Sequence, residues 1–167
     1  CSPEKTDVAP LSGPLPSPRT HGGMPLMDAL KNRATTREFS ERALPRPVLS
    51  DLLWAAFGVN RPDGKRTAPS AFNIQSVDIY LAVPEGVFLC GAKEHSLKPM
   101  LDEDVRPLAC GQGAFSAAPA SLMYIADLSR YPEKMSGEDR IMWARYDTGF
   151  IGQNVYLFCA SEKLAAV

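Results

Sequence analysis

Three features of the sequence predict an α+β chain. Two short amphipathic stretches come first, a pair of β-rich runs folded about a Pro-Glu-Gly turn follows, and a further strand leads into a long stretch of helical spacing. No segment repeats another.

The first helix is expected over 24–33. Leu26, Met27, Leu30 and Ala34 recur at helical spacing, and Pro25 is acceptable in a first turn. Thr35 to Phe39, rich in β-branched and aromatic residues, leaves it as extended chain. Pro47 opens the second helix, whose apolar face is Val48, Leu49, Leu52, Leu53, Ala56 and Phe57, with Gly58 as its expected stop. Residues 60–75 read as a loop broken by Pro62, Gly64 and Pro69. Strands are predicted over 78–83 and 87–90, joined by Pro84-Glu85-Gly86 into a hairpin. The run 121–127 is almost wholly apolar and is expected at the centre of a sheet. From Glu138 to Glu162 the pattern predicts one helix, about 38 Å long at 1.5 Å per residue. Its apolar positions, among them Ile141, Ala144, Phe150, Ile151, Val155 and Phe158, cover more than one face, as in a core or at a dimer interface.

At 167 residues the chain is long enough for one domain, and 45% hydrophobic with 22% charged residues is ordinary globular composition. A net charge of −1 gives no electrostatic reason to bind nucleic acid or an anionic membrane. No apolar run approaches the roughly 20 residues that span a bilayer. The four cysteines, Cys1, Cys90, Cys110 and Cys159, form no C-x-x-C pair, and Cys90 and Cys159 read as small buried thiols.

Residues 1–23 hold five prolines and three glycines and read as a flexible tether, leaving 24–167 as the domain. A leading Cys1 followed by Ser2 and such a tether looks like a mature bacterial lipoprotein, acylated at Cys1. Acylation would anchor the chain to a membrane outside the cytoplasm; without it a cytoplasmic location is expected. The sequence stops in the apolar stretch 164–167, as a fragment or a partner-packed end would.

Two clusters carry the candidate chemistry. In Arg33-Ala34-Thr35-Thr36-Arg37 two guanidinium groups flank two hydroxyls where helix gives way to extended chain. Arginine forks and hydroxyls suit a phosphate, and equally a solvated helix end. In Pro69-Ser70-Ala71-Phe72-Asn73-Ile74-Gln75 short polar side chains sit in a loop feeding a strand. Their amides suit the mixed donor and acceptor edge of a heterocycle, and equally a capped turn. Asn73 and Gln75, two apart, are expected on one face of an extended segment. Arg46 and Arg130, outside both clusters, are expected to be indifferent to any ligand.

Together the clusters resemble the nitroreductase family: R-x-[ST]-x-R after a first amphipathic helix, then P-S-x-x-N-x-Q before a hairpin. Asp147, Gly149, Gln153, Asn154, Leu157 and Ala160 are similar to that family's long central helix, and Asn60 to Ser70 to one of its subgroups. The likeness runs from about Met24 to Leu164. Lys163 stands where the family's helix usually ends in Gly. Members usually run on past this point, so a C-terminally shortened domain is expected.

The resemblance implies a mixed or antiparallel sheet flanked by helices, a long buried central helix, and a homodimer holding FMN at its interface. By position, Arg33, Thr35 and Arg37 would contact the FMN phosphate, ribityl chain and pyrimidine edge. Ser70, Asn73 and Gln75 would contact the isoalloxazine and ribityl groups. The implied reaction is ping-pong: NAD(P)H passes hydride to flavin N5, and a nitroaromatic, quinone or similar acceptor collects it. The flavin carries the chemistry, so no side-chain acid or base is assigned as catalytic. A flavin dehydrogenase or dehalogenase, or a non-catalytic flavin-binding or structural dimer, remains open.

Other motifs fail. Residues 58–67 have the wrong glycine spacing and no preceding strand for a P-loop. His21 and His95 are isolated and no metal site is expected. Asp102-Glu103-Asp104 reads as a solvated loop.

Overall fold

The computed structural model describes residues 11–109 and 118–167. The expectations placed on Cys1 and on the first ten residues lie outside them.

Helix α1 spans Leu26–Asn32 and α2 spans Arg46–Phe57, each preceded by a proline at its cap. Proline suits a helix start because its fixed φ is helical and its missing N–H costs nothing there. Gly58 does follow α2, but at φ −70° and ψ 160°, so the helix stops by turning into extended chain and not through a left-handed glycine.

Five strands form one antiparallel sheet: β1 (Gly13–Pro14), β2 (Val77–Val83), β3 (Gly86–Gly91), β4 (Ser96–Leu101) and β5 (Ser121–Ala126), in the order β1-β4-β3-β2-β5. The β2–β3 hairpin is as expected, with Val83 opposite Gly86 across Pro84-Glu85. Gly86 has φ +141°, and a Cβ there would lie 2.2 Å from the Leu101 carbonyl oxygen, so both conformation and space require glycine. The short helix α3 (Arg106–Ala109) precedes β5.

Two expectations fail here. β5 pairs only with β2 and is an edge strand among the described residues, not a central one. Its apolar sequence carries no information on its neighbours, and none of its residues is fully buried. The residues 11–23 are also not a free tether. Arg46 donates to the carbonyls of Leu11, Ser12 and Pro14, Ser50 Oγ donates to the Pro16 carbonyl, and Arg19 pairs with Asp51 and Glu162. Prolines remove backbone donors from this strip, and side-chain donors from the domain satisfy its carbonyls instead.

Along β2, Val77, Ile79, Leu81 and Val83 alternate onto one buried face. There they meet Leu49, Leu53, Ala56 and Phe57 of α2 and Ile151 of the last helix. That helix, α4, spans Gly137–Glu162. It is capped by Ser136, whose Oγ accepts from the Asp139 N–H, and it carries Glu138 and Asp139 in its first turn. One strip of α4 is buried (Ala144, Asp147, Ile151, Cys159), while Ile141, Met142, Tyr146 and Phe150 are exposed. α1 exposes Leu26, Met27 and Leu30 as well.

Lys163 closes α4 in the left-handed conformation, φ +57° and ψ +38°, and the Leu164 N–H donates to the Cys159 carbonyl. This is the position where the resemblance leads one to expect Gly, and a side chain there costs about 1–2 kcal/mol. Lys163→Gly is therefore expected to raise stability by about 1 kcal/mol, or about 2–4 °C in Tm for a chain of this size. A melt showing no gain would mean that the lysine side chain contributes as much as its strain costs.

Candidate functional site

The 70–75 loop is a strained turn. Ala71–Asn73 forms a 3-10 turn, and Phe72, Asn73 and Gln75 have φ of +53°, +56° and +53°. Left-handed backbone at three non-glycine residues persists only where the surroundings over-determine it, and such strain gathers at functional sites. The expectation that Asn73 and Gln75 alternate along extended chain is thus wrong, although their side chains do meet.

Asp147, 1% exposed, holds the loop from below. Its carboxylate accepts from Ser70 Oγ at 2.8 Å and from the Ala71 N–H at 2.9 Å, and Ser70 Oγ accepts in turn from the Gln75 N–H at 2.7 Å. Ser70 is therefore engaged inside the protein. Four further partners hold Gln75. Arg66 Nε donates to its Oε1 at 2.8 Å, its Nε2 donates to the Gly64 carbonyl at 3.2 Å and to Asn73 Oδ1 at 3.0 Å, and Arg130 donates to its backbone carbonyl at 3.0 Å. Arg130 also pairs with Asp78 and Asp127, which hold its pKa up. It therefore belongs to the scaffold of the loop and is not an indifferent residue. Phe72, 73% exposed, stands edge-on to Trp143, which stands edge-on to Tyr146. The loop thus displays one exposed amide, Asn73, held at its oxygen by Gln75, beside an aromatic wall.

The basic cluster sits where α1 ends. Asn32 is the last helical residue and Arg33 the cap, so the two arginines do not share a helix face. The chain runs on extended, and the Thr36 N–H donates to the Ala166 carbonyl at 2.8 Å. The Arg33 guanidinium lies 5.5 Å from the centre of the Tyr156 ring, within cation–π range. Thr35 Oγ1 is 3.5 Å from the Tyr156 hydroxyl. Arg37 is exposed, and among the described residues neither arginine meets a carboxylate.

Each cluster leans on α4, one at Asp147 and the other at Tyr156. Nine helical residues separate these by about 14 Å and by two and a half turns, which puts them on opposite sides of the helix. One chain by itself does not bring the clusters together.

Nothing else in the described residues offers a reactive group. Burial pushes the Cys90 thiol up to about 12 and Cys159 to about 11, so neither is a thiolate nucleophile at neutral pH. His95 Nε2 lies 2.6 Å from Ser50 Oγ, in a contact that clasps the 11–23 strip. No group of three or more metal-ligating side chains occurs among the described residues, and no described helix is long and apolar enough to cross a membrane.

Residues 30–167 match the family model described as the nitroreductase family. The chain belongs to the nitroreductase family. A provisionally named nitroreductase of Methanocaldococcus jannaschii is 33% identical over 152 residues, covering 85% of this chain and 76% of that protein. The crystal structure of a provisionally named nitroreductase from Ralstonia eutropha superposes with a TM-score of 0.87 at 39% identity, over 92% of this chain and 73% of that one. A nitroreductase-like protein from Desulfovibrio desulfuricans, crystallised in complex with FMN, shares the fold with a TM-score of 0.57 at 16% identity, over 86% of this chain and 67% of that one. As a nitroreductase-family chain the protein has an oxidoreductase fold, and its sheet and flanking helices are those the motifs implied.

Sequence reasoning missed Tyr156 and Trp143, and it placed Arg66, Phe72 and Asp147 only within motifs, without a role. The 3- and 4-residue spacing of Trp143, Tyr146 and Phe150 was the one local signal of an exposed aromatic strip on α4. Nothing local marks Arg66 as the partner of Gln75.

Proposed function

We propose that this chain is an FMN-dependent oxidoreductase that passes electrons from NADH or NADPH to a small acceptor such as a nitroaromatic or quinone, and that a second copy completes its flavin site. The observation that carries this reading is the placement of the two polar clusters on opposite sides of α4, together with an exposed apolar strip on α4 and further exposed apolar side chains on α1. Two copies packed through that strip, in an interface of well over about 2,000 Å², would set the arginines of one against the loop of the other.

The donor set fits the cofactor. Arg33 and Arg37, unpaired with carboxylates among the described residues, and the Thr35 hydroxyl suit a phosphate tail, and the exposed amide of Asn73 suits a ring carbonyl. Gln75 and Ser70 act one layer behind, fixing the loop. When bound, FMN supplies a two-electron carrier between nicotinamide and acceptor. The aromatic wall of Phe72 and Trp143 lets a flat ring lie against the loop with little water between.

The test is the absorbance spectrum of the purified chain after FMN is added, recorded without oxygen before and after NADH or NADPH. A yellow protein with dimer mass by light scattering, bleached by reduced nicotinamide, is expected. Bound flavin that neither nucleotide bleaches would reduce the assignment to flavin binding. A chain that takes up no FMN would overturn it.

A further inference from the structure

We propose that Arg66 is a positioning residue that, acting through Gln75, fixes which way the Asn73 amide faces, so that the loop offers its ligand a hydrogen-bond donor and no acceptor. The inference rests on the FMN reading only for the identity of the ligand.

A guanidinium has donors and no acceptor. Arg66 Nε at 2.8 Å therefore requires the oxygen end of the Gln75 amide. The other end faces the Gly64 carbonyl at 3.2 Å, which only accepts and so requires the nitrogen. Both neighbours demand the same orientation of Gln75. Its Nε2 then points at Asn73 from 3.0 Å, and the Asn73 group facing it must be Oδ1. Asn73 Nδ2 is left turned outward, and no described residue takes it up. Arg66 is itself fixed. It is half-buried, lies 4.8 Å from the centre of the Phe57 ring, and donates to the Phe57 carbonyl at 3.0 Å. The direction of the chain thus starts at the end of α2 and emerges at Asn73.

The ligand atom that this amide fits is a carbonyl oxygen or an imine-type ring nitrogen. An N–H of the ring would face a second donor. A donor directed at a flavin carbonyl favours the electron-rich form of the ring and raises its reduction potential.

Gln75→Glu is the informative variant. A carboxylate in that place keeps the bond to Arg66 but accepts where Gln75 donated, so Asn73 would have to turn and present Oδ1 outward. Asn73→Asp imposes the same polarity directly, on a backbone conformation that Asp tolerates. Arg66→Met keeps the stem of the side chain and removes the donors.

For Asn73→Asp and Gln75→Glu, FMN dissociation constants are expected to rise about tenfold and the bound flavin's potential to fall. Arg66→Met should shift both the same way by less. A purely structural role for Gln75 predicts no such change for Gln75→Glu, whose new ion pair with Arg66 would leave the potential where it was. Wild-type affinity and potential in Gln75→Glu and Arg66→Met, with a normal Asn73→Asp response, would overturn the relay while leaving the FMN assignment intact.

A readout without flavin decides the relay even if FMN does not bind. In the wild-type chain the Gln75 side-chain amide protons should exchange slowly with solvent and those of Asn73 fast, and Arg66→Met should release Gln75. Equal exchange of the two amides in the wild type would overturn the proposal.

Discussion

Asp147→Ala is expected to destabilise the chain by about 3 kcal/mol, since it leaves the Ser70 hydroxyl and the Ala71 N–H without their acceptor at a buried site, at about 1–3 kcal/mol for each unsatisfied group. For a chain of this size that is about 6–12 °C in Tm. The loop suffers more than the fold does. Asp147 is the link between α4 and a turn that carries three left-handed residues, and without it that turn has a cheaper conformation available. FMN affinity should therefore fall together with stability. Asp147→Asn should be milder, because the amide keeps one acceptor oxygen for one of the two donors and the Ser70 hydroxyl can rotate to accept from the amide nitrogen. Denaturant melts of the two variants give the comparison. An Ala variant that melts within about 1 °C of the wild type would show that the loop holds itself.

This dependence explains what could be read from the sequence and what could not. α2 was legible because its signals are local: a proline at its start, an apolar face at helical spacing, and glycine after it. The β2–β3 hairpin was legible for the same reason, through Pro84-Glu85-Gly86 between two β-branched runs. β4 was not, because only Leu97 of its six residues is buried and Pro99 interrupts its donors. Its pairing is set by β3, not by its own pattern. β5 was read as a strand but misplaced, since an apolar run does not report its neighbours. The residue types of the site were legible from the family's motifs, yet their roles were not. Ser70 and Gln75 turn inward because a carboxylate 77 residues after Ser70 and a guanidinium nine residues before Gln75 hold them there. The strip 11–23 has the composition of a tether, and only the donors of Arg46 and Ser50 make it part of the domain.

Removing Arg33 or Arg37 is expected to have the largest effect on the cofactor. Each would lose a charge-assisted contact worth about 1.5–3 kcal/mol, so Arg33→Ala and Arg37→Ala should each raise the FMN dissociation constant about tenfold or more. The two are not equivalent. Arg37 is exposed and free of described partners, so its loss should be purely electrostatic and should shrink as salt is added. Arg33 is held over the Tyr156 ring, so its guanidinium is already oriented before a ligand arrives. Arg33→Lys should recover the charge but not that orientation, and should regain only part of the affinity. The proper control is Arg46→Ala. It leaves the carbonyls of Leu11, Ser12 and Pro14 without their donor and should lower Tm, yet it belongs to neither cluster and should leave FMN affinity within about twofold. Arg130 cannot serve as a control, because its donation to the Gln75 carbonyl couples it to the loop. Titration of FMN into the purified chain, followed by quenching of flavin fluorescence, measures all four variants on one scale. Unchanged affinity in both Arg33→Ala and Arg37→Ala would return the cluster to a solvated helix end and place the phosphate elsewhere.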